Sequence, residues 1–366
     1  MADARNDRAL EAQQQLDPAI VEYLSTKGYV LERCRHAHPA TFFKTSCASK
    51  LSGASKEDVT FVQLLHQTDD QRREVMKIVE EDMVLSDEAA FEQHVVRYQG
   101  YSPTVDIIFT ERLPGSGIEP WHHEFRDSLI LDIAWDGLQA LAYLHGRGVV
   151  HGSIHPGNIM HIPAKTGDHD DNGTFKLFGH GLVPKVGRHK EAVDARYTPP
   201  ELRGKPYKPT FKSDVWMLGM TLLEYHELGP GAFDISLRGG IGTLVKRISE
   251  RKSQGWLKQR EEGCVYDAHG KYYHAVLEDI IGDMLVEKPR ERPSAMAALR
   301  KLAHERHYKG EKTPDAGQLM MPVKAAVKAA KKEMRARTLV GKVLGQVKGF
   351  WDWLLLLGVA LLFGLK

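Results

Sequence analysis

The chain has 366 residues, of which 42% are hydrophobic and 27% are charged. This length and composition are typical of a chain that buries a sizeable core, either as two domains or as one large two-lobed domain. The net charge of +2 is too small to indicate a nucleic-acid-binding protein. The three cysteines (Cys34, Cys47 and Cys264) lack the spacing of metal ligands, and we expect free thiols in a reducing compartment.

The first part of the chain is predicted to be rich in strands. Residues 1–28 form a polar, partly helical lead-in, without the apolar run of a signal peptide. Short runs of alternating hydrophobicity then predict strands, with one helix at residues 71–85 among them. Residues 29–112 are therefore predicted to form a small β-rich lobe. Its predicted strands are residues 29–31, 41–45, 59–65, 94–98 and 105–109.

The pattern changes after a loop that contains Pro114, Gly115 and Gly117, and residues 111–117 are predicted to be a hinge. Residues 129–145 repeat apolar side chains at the 3.6-residue period of a buried helix face. Residues 113–307 are therefore predicted to form a larger helical lobe. The predicted fold class is α+β, with a small β-rich lobe and a larger helical lobe.

The C-terminal part is predicted to be a basic linker or helix at residues 308–348, followed by a hydrophobic helical tail at residues 349–366. The run from Trp353 to Leu365 is apolar or glycine throughout, but it is shorter than the ~20 residues that usually span a bilayer. Its basic flank favours a membrane anchor that either spans the bilayer or lies in the interface, with the upstream domain on the cytoplasmic side. The alternative is an apolar helix packed on the domain or on a partner.

Short motifs follow one another in the larger lobe. They are HGSIHPGN at residues 151–158, KLFGHG at 176–181, YTPPE at 197–201, SDVWMLG at 213–219 and KPRERP at 288–293. Their order and spacing resemble the catalytic loop, D-F-G segment, A-P-E motif, buried helix and late arginine of the protein kinases. The resemblance covers roughly residues 29–307 and is firmest from residue 113 onward. It implies a two-lobed protein-kinase-like fold.

The resemblance also indicates which catalytic groups the chain lacks. The aspartate that accepts the substrate proton corresponds to Ser153, and a lysine that contacts the γ-phosphate corresponds to His155. The aspartate that binds magnesium corresponds to Gly179, which has no side chain. Of the metal ligands only Asn158 remains, and one amide is a poor ligand set for a hard cation. We therefore expect no metal site.

The smaller lobe is predicted to be degenerate in the same way. The resemblance aligns the phosphate-binding lysine of the third strand with Gln63 and its helical partner with Glu74. Residues 33–40, in the place of the glycine-rich loop, contain no glycine, so their backbone cannot approach phosphates closely. Phe61 stands where the family has a small residue, and we expect it to extend into the adenine pocket.

Lys44, on the second predicted strand, is the one residue that could supply the missing positive charge. Together with Asn158 it is a candidate for nucleotide binding. The resemblance implies structural roles for four further residues: packing for His151, a bond to the catalytic-loop backbone for Asp214, and an ion pair between Glu201 and Arg292.

These substitutions predict a pseudokinase that acts as a membrane-tethered scaffold or allosteric regulator without efficient phosphoryl transfer. Protein partners are expected, no cofactor is required, and any ATP binding is expected to be weak. Two alternatives stay open: a weak, atypical ATP-dependent Ser/Thr protein kinase, and a non-catalytic ATP-binding sensor. The tail predicts a tail-anchored protein on the cytoplasmic face of an endomembrane or of the mitochondrial outer membrane.

Overall fold

A computed structural model describes residues 16–32, 43–52, 55–64, 69–84, 94–112, 127–163, 173–182, 196–227 and 270–308. Within these residues a five-stranded antiparallel sheet belongs to the N-terminal part of the chain, and long helices dominate from residue 127 onward. The predicted division into a β-rich and a helical lobe is therefore confirmed.

The sheet of the small lobe has the order β1-β2-β3-β5-β4. Its strands are β1 (Tyr29–Glu32), β2 (Phe43–Ser52), β3 (Ser55–Leu64), β4 (Tyr98–Ser102) and β5 (Ile107–Thr110). Helix α1 (Pro18–Thr26) precedes the sheet, and helix α2 (Asp69–Val84) lies between β3 and β4 in the chain.

Helix α1 begins where local chemistry favours a helix start. The carboxylate of Asp17 accepts a hydrogen bond from the Ala19 amide at 2.9 Å, and Pro18 stands at the first helical position. Its buried residues, Ile20 and Leu24, are four positions apart and therefore lie on one side of the helix. This apolar side covers one face of the sheet.

One predicted strand is displaced. Residues 94–98 were expected to be extended, but β4 begins only at Tyr98. Val95 instead forms an isolated parallel bridge with Leu177 of the larger lobe, and the Val96 amide donates to the Leu177 carbonyl at 2.9 Å. The extended appearance of this segment therefore reflects pairing between the lobes and not membership of the sheet.

The larger lobe is built around helix α3 (Asp127–Arg147), which packs against the helices that follow it. These are α4 (Phe211–Glu227), α5 (Gly270–Met284) and α6 (Ala295–Tyr308). A hairpin of β6 (Ile159–Ile162) and β7 (Thr174–Leu177) also packs on α3. Most residues of α4 are buried, including the polar Ser213, Asp214 and Glu224.

A buried ion pair ties the A-P-E segment to the chain before α6. The guanidinium of Arg292 donates to both carboxylate oxygens of Glu201 at 2.7 Å. It also donates to the backbone carbonyls of Val286 and Glu287, and it lies 4.7 Å from the ring centroid of Trp216. Since the Arg292 side chain is fully buried, its charge depends on these partners.

We predict that Arg292→Met lowers the free energy of unfolding by about 3–5 kcal/mol, because it leaves the Glu201 carboxylate without its buried partner. Lys288→Met is the matched control, since Lys288 forms only an exposed pair with Glu291. The control should change stability by less than about 0.5 kcal/mol in denaturant-induced unfolding. Equal losses in the two variants would contradict the structural role of the buried pair.

Several predicted features lie outside the described residues. They include the glycine-free loop at residues 33–40, most of the hinge from residue 113 onward, the basic segment beyond Tyr308 and the apolar run from Trp353 to Leu365. In the part of the chain that the structure describes, no helix has the length and apolar character needed to cross a membrane.

Candidate functional site

The loop at residues 151–158 is fixed by hydrogen bonds from its backbone to Asp214 of α4. The fully buried Asp214 carboxylate accepts hydrogen bonds from the backbone amides of His151 at 2.9 Å and Gly152 at 2.8 Å. It also contacts Nε2 of His145, on α3, at 2.9 Å. Three separate parts of the larger lobe therefore meet at this carboxylate, and Asp214 acts as a structural anchor of the loop.

Ser153 and Asn158 lie together in this loop. The Asn158 amide nitrogen donates to the Ser153 carbonyl at 2.7 Å and lies 3.4 Å from the Ser153 hydroxyl oxygen. Asn158 is buried, and its Oδ1 has no hydrogen-bond partner among the described residues. Nε2 of His151 and Nδ1 of His180 likewise have no hydrogen-bond partner among the described residues.

The residues at the site do not fit a magnesium ion. Gly179, in the position of the metal-binding aspartate, has a backbone φ of +86° and contributes no ligand. Hard divalent cations prefer several carboxylate oxygens, whereas Ser153 and Asn158 supply only neutral oxygens. Within the described ranges, no group of three His, Cys, Asp or Glu side chains could hold a metal ion.

The two histidines of the loop are not arranged as catalytic bases. His151 is fully buried, and burial together with the neighbouring His180 and His155 lowers its pKa well below the usual value. Its Nδ1 accepts a bond from the Ser153 amide at 3.3 Å, which positions the backbone and not a reacting hydroxyl. The half-buried ring of His155 lies 6.0 Å from the ring of Tyr197.

The third strand has two buried faces, and the structure corrects which residues lie on each. Phe61 is fully buried in the cluster that contains Ile20 and Leu24 of α1. The prediction that Phe61 extends into an adenine pocket is therefore wrong. Val62 points the other way and belongs to the same buried cluster as the apolar residues of α2.

Gln63 is consequently not in the position that the resemblance suggested. Because side chains alternate along a strand, Gln63 shares the face of Phe61, and Val62 is the residue that faces α2. An aliphatic side chain there cannot neutralise a phosphate. Lys44 lies directly opposite Gln63 in the register of β2 and β3, whereas Thr45 is the residue opposite Val62.

Helix α2 also presents a different acid from the one expected. Glu74 is exposed, whereas Asp82 is fully buried. The buried side of α2 carries Val75, Ile78, Val79 and Asp82, which follow one another at helical spacing. Sequence reasoning missed Asp82, although its place three residues after Val79 on an apolar stripe is the signal that could have indicated it.

Asp82 is the centre of a buried polar cluster. Its carboxylate contacts Nε2 of His180 at 2.9 Å and Nη1 of Arg147 at 2.6 Å. The side chains of Asp82 and His180 are fully buried, and Arg147 is 4% exposed. Burial alone would raise the pKa of the Asp82 carboxyl, but the charges and hydrogen bonds of His180 and Arg147 outweigh it and lower that pKa.

The cluster extends to the sheet through Tyr98 at the start of β4. The ring of Tyr98 stacks on the His180 ring with centroids 4.4 Å apart, and its hydroxyl donates to the His180 carbonyl at 2.8 Å. Burial and the nearby Asp82 charge raise the pKa of Tyr98, so the phenol stays neutral. His180 stands in the phenylalanine position of the D-F-G segment. It belongs to the larger lobe and contacts Asp82 and Tyr98 of the smaller lobe.

The start of the predicted hinge is tied to β7 by a second, less buried contact. Glu111 accepts hydrogen bonds from the Lys176 ammonium at 2.9 and 3.0 Å and from the Arg97 amide at 3.0 Å. Thr110, just before it, donates to the backbone carbonyls of Thr60 and Glu111. The Glu111–Lys176 pair could not be predicted from residue spacing, because its two residues are far apart in the chain.

Comparison with known families identifies the chain. The family model described as "Protein kinase domain" matches residues 46–302, which is more than half of the chain. The chain therefore belongs to the protein kinase domain family.

Curated relatives share shorter segments. The chain is 28% identical over 186 residues to a mitogen-activated protein kinase kinase, mkk2, of Aspergillus fumigatus, covering 46% of this chain and 35% of that protein. It is 31% identical over 181 residues to sperm motility kinase Z of Mus musculus, covering 48% and 30%. It is also 31% identical over 169 residues to mitogen-activated protein kinase kinase kinase 1 of Arabidopsis thaliana, covering 42% and 26%. The matched region is thus about a third of the length of these relatives or less.

Proposed function

We propose that this chain is a pseudokinase, a kinase domain that acts as a protein-binding scaffold or allosteric regulator and does not transfer phosphoryl groups efficiently. One observation carries the proposal. The two positions at which the family places its essential carboxylates are occupied by Ser153 and Gly179, and neither can hold a negative charge.

The chemistry of phosphoryl transfer supports this proposal. The reaction depends on positioning and on neutralising charge at the phosphates, with little covalent work by the protein. Each preorganised group contributes about 3–4 kcal/mol of transition-state stabilisation, and groups that act together are strongly non-additive. A chain that lacks the base and the metal ligand, and that has Val62 facing α2 on the third strand, has lost several such groups.

Two enzyme-related alternatives have specific support. The relatives carry the names of kinases, which favours a weak, atypical Ser/Thr kinase that uses Lys44. The burial of Phe61 under α1 removes the objection that it fills the adenine pocket, which favours an ATP-binding sensor. Neither alternative restores a carboxylate at Ser153 or Gly179.

We predict that the purified chain shows no autophosphorylation and no transfer to generic substrates. The double variant Ser153→Asp with Gly179→Asp should also be inactive, because the phosphate-binding charge would still be missing. Aspartate is a suitable probe at residue 179, since it tolerates the left-handed backbone better than most residues. The matched control is Ser153→Asn with Gly179→Asn. Robust transfer by the unmodified chain that is lost in Lys44→Ala would overturn the pseudokinase proposal in favour of the atypical kinase.

We expect any stabilisation by ATP in a thermal-shift assay to be the same with and without magnesium. A ligand raises the melting temperature only as its affinity for the folded state allows, and Asn158 alone is a poor metal site. Asn158→Ala should therefore leave the ATP response unchanged. A shift at micromolar ATP that requires magnesium and disappears in Asn158→Ala would contradict this expectation.

We further propose that the run from Trp353 to Leu365 attaches the protein to the cytoplasmic face of an endomembrane or of the mitochondrial outer membrane. The support is its apolar composition, its basic flank and the tryptophans near Asp352, where aromatic and charged groups lie at the headgroup level.

We predict that carbonate extraction leaves the full-length protein in the membrane pellet and releases a version that ends at Lys348. Truncation removes the whole apolar run and keeps the entire basic segment at residues 308–348, so the comparison separates insertion from electrostatic attraction to lipids. If carbonate released both versions equally, a helix packed on the domain or on a partner would be the better interpretation.

A further inference from the structure

The buried contact of Asp82 with His180 and Arg147 joins elements that are distant in the chain. Asp82 lies on α2 of the small lobe, Arg147 ends α3 of the larger lobe, and His180 belongs to the segment that follows β7. Because all three side chains are buried, their attraction is screened much less than that of an exposed pair. Removing Asp82 would take from His180 its buried carboxylate partner and leave Arg147 with only the more distant Glu81 carboxylate, at 3.5 Å, as an ion-pair partner among the described residues.

Towards the sheet, α2 has apolar neighbours and one partly exposed ion pair, between Arg72 and Asp106 at 2.8 Å. Its buried neighbours on that side are apolar, as in the cluster that contains Val62, Val75 and Val79. Apolar packing is non-directional and does not fix the rotation or register of a helix as an ion pair does. The directional contacts of the buried side of α2 therefore point towards the larger lobe, at Asp82.

The segment after β7 fits closely against the same helix. Gly181 has a backbone φ of +70°, and a Cβ atom at this position would collide with Cδ1 of Ile78. This close approach brings His180 within reach of Asp82, one helical turn further along α2. Helix α2 and residues 178–182 are thus packed as one unit.

We propose that Asp82, Arg147 and His180 form a latch that holds α2 and residues 178–182 against the larger lobe without any nucleotide or metal. All three groups belong to the chain itself, so we expect the latch to form without a nucleotide or a metal, whether or not the chain is a pseudokinase. The latch keeps the surface formed by α2 in one arrangement, which is what a partner that binds the unliganded domain requires.

The test is hydrogen exchange followed by mass spectrometry on the full-length chain, without nucleotide. In Asp82→Asn, the amides of α2 and of residues 178–182 should exchange about tenfold faster or more, while those of α4 and α6 change less than about twofold. Asp69→Asn is the matched control, because Asp69 is on the same helix and 89% exposed, and it should leave α2 unchanged. Saturating ATP with magnesium should alter the exchange of α2 in the unmodified chain by less than about twofold.

A second variant keeps the proposal testable if Asp82→Asn does not fold. His180→Phe preserves an aromatic ring against Tyr98 and the Asp82–Arg147 pair, and it removes only the bond to Asp82. It should accelerate exchange in the same two segments and not elsewhere. Unchanged exchange in α2, or equal acceleration in α2 and α4, would overturn the latch, since the cluster would then have no local effect. If ATP slowed the exchange of α2 tenfold in the unmodified chain, the proposal that the latch forms without a nucleotide would be overturned.

Discussion

The carboxylate of Asp82 is buried and needs compensating charges, and this requirement determines which segments meet around it. A buried negative charge must be compensated, and its partners Arg147 and His180 come from two separate segments of the larger lobe. Meeting this requirement brings the end of α3, the segment after β7 and helix α2 to one place. The stacked ring of Tyr98 then links the start of β4 to the same point. These contacts, all made by groups of the chain itself, hold the two lobes together at this point.

The family's structural ionic contacts are present here, whereas its catalytic charges are absent. Asp214 still fixes the catalytic-loop backbone, and Arg292 still pairs with Glu201. Both contacts serve the architecture of the larger lobe. The groups that act on phosphate have been replaced by Ser153 and Gly179, whose side chains are small and neutral. The chain thus keeps the contacts that build the larger lobe, while the positions that the resemblance assigns to the catalytic carboxylates are occupied by Ser153 and Gly179.

The sequence predicted the larger lobe better than the smaller one, for physical reasons. The motifs of the larger lobe have fixed spacing, and the period of α3 is clear because one continuous stripe of that helix is apolar. On β3 both faces are buried, so the hydrophobic pattern could not show which of Phe61 and Val62 lies on the side of α1. The same limit applies to α2, where an acid had to be chosen without knowing which side is buried, and Asp82 rather than Glu74 proved to be inside.

Four described residues, Thr110, Glu111, Val62 and Gly179, also bear on how a ligand could be recognised. The hydroxyl of Thr110 is bonded to backbone carbonyls, and the Glu111 carboxylate is bonded to Lys176 and to a backbone amide. These side chains are thus satisfied within the chain. Val62, on the side of α2, offers no charge to a phosphate, and Gly179 offers no ligand to a metal. We therefore expect these described residues to add little affinity for the phosphates of a bound molecule. Among these four residues, no unpaired charge remains that could distinguish a nucleotide from a nucleoside.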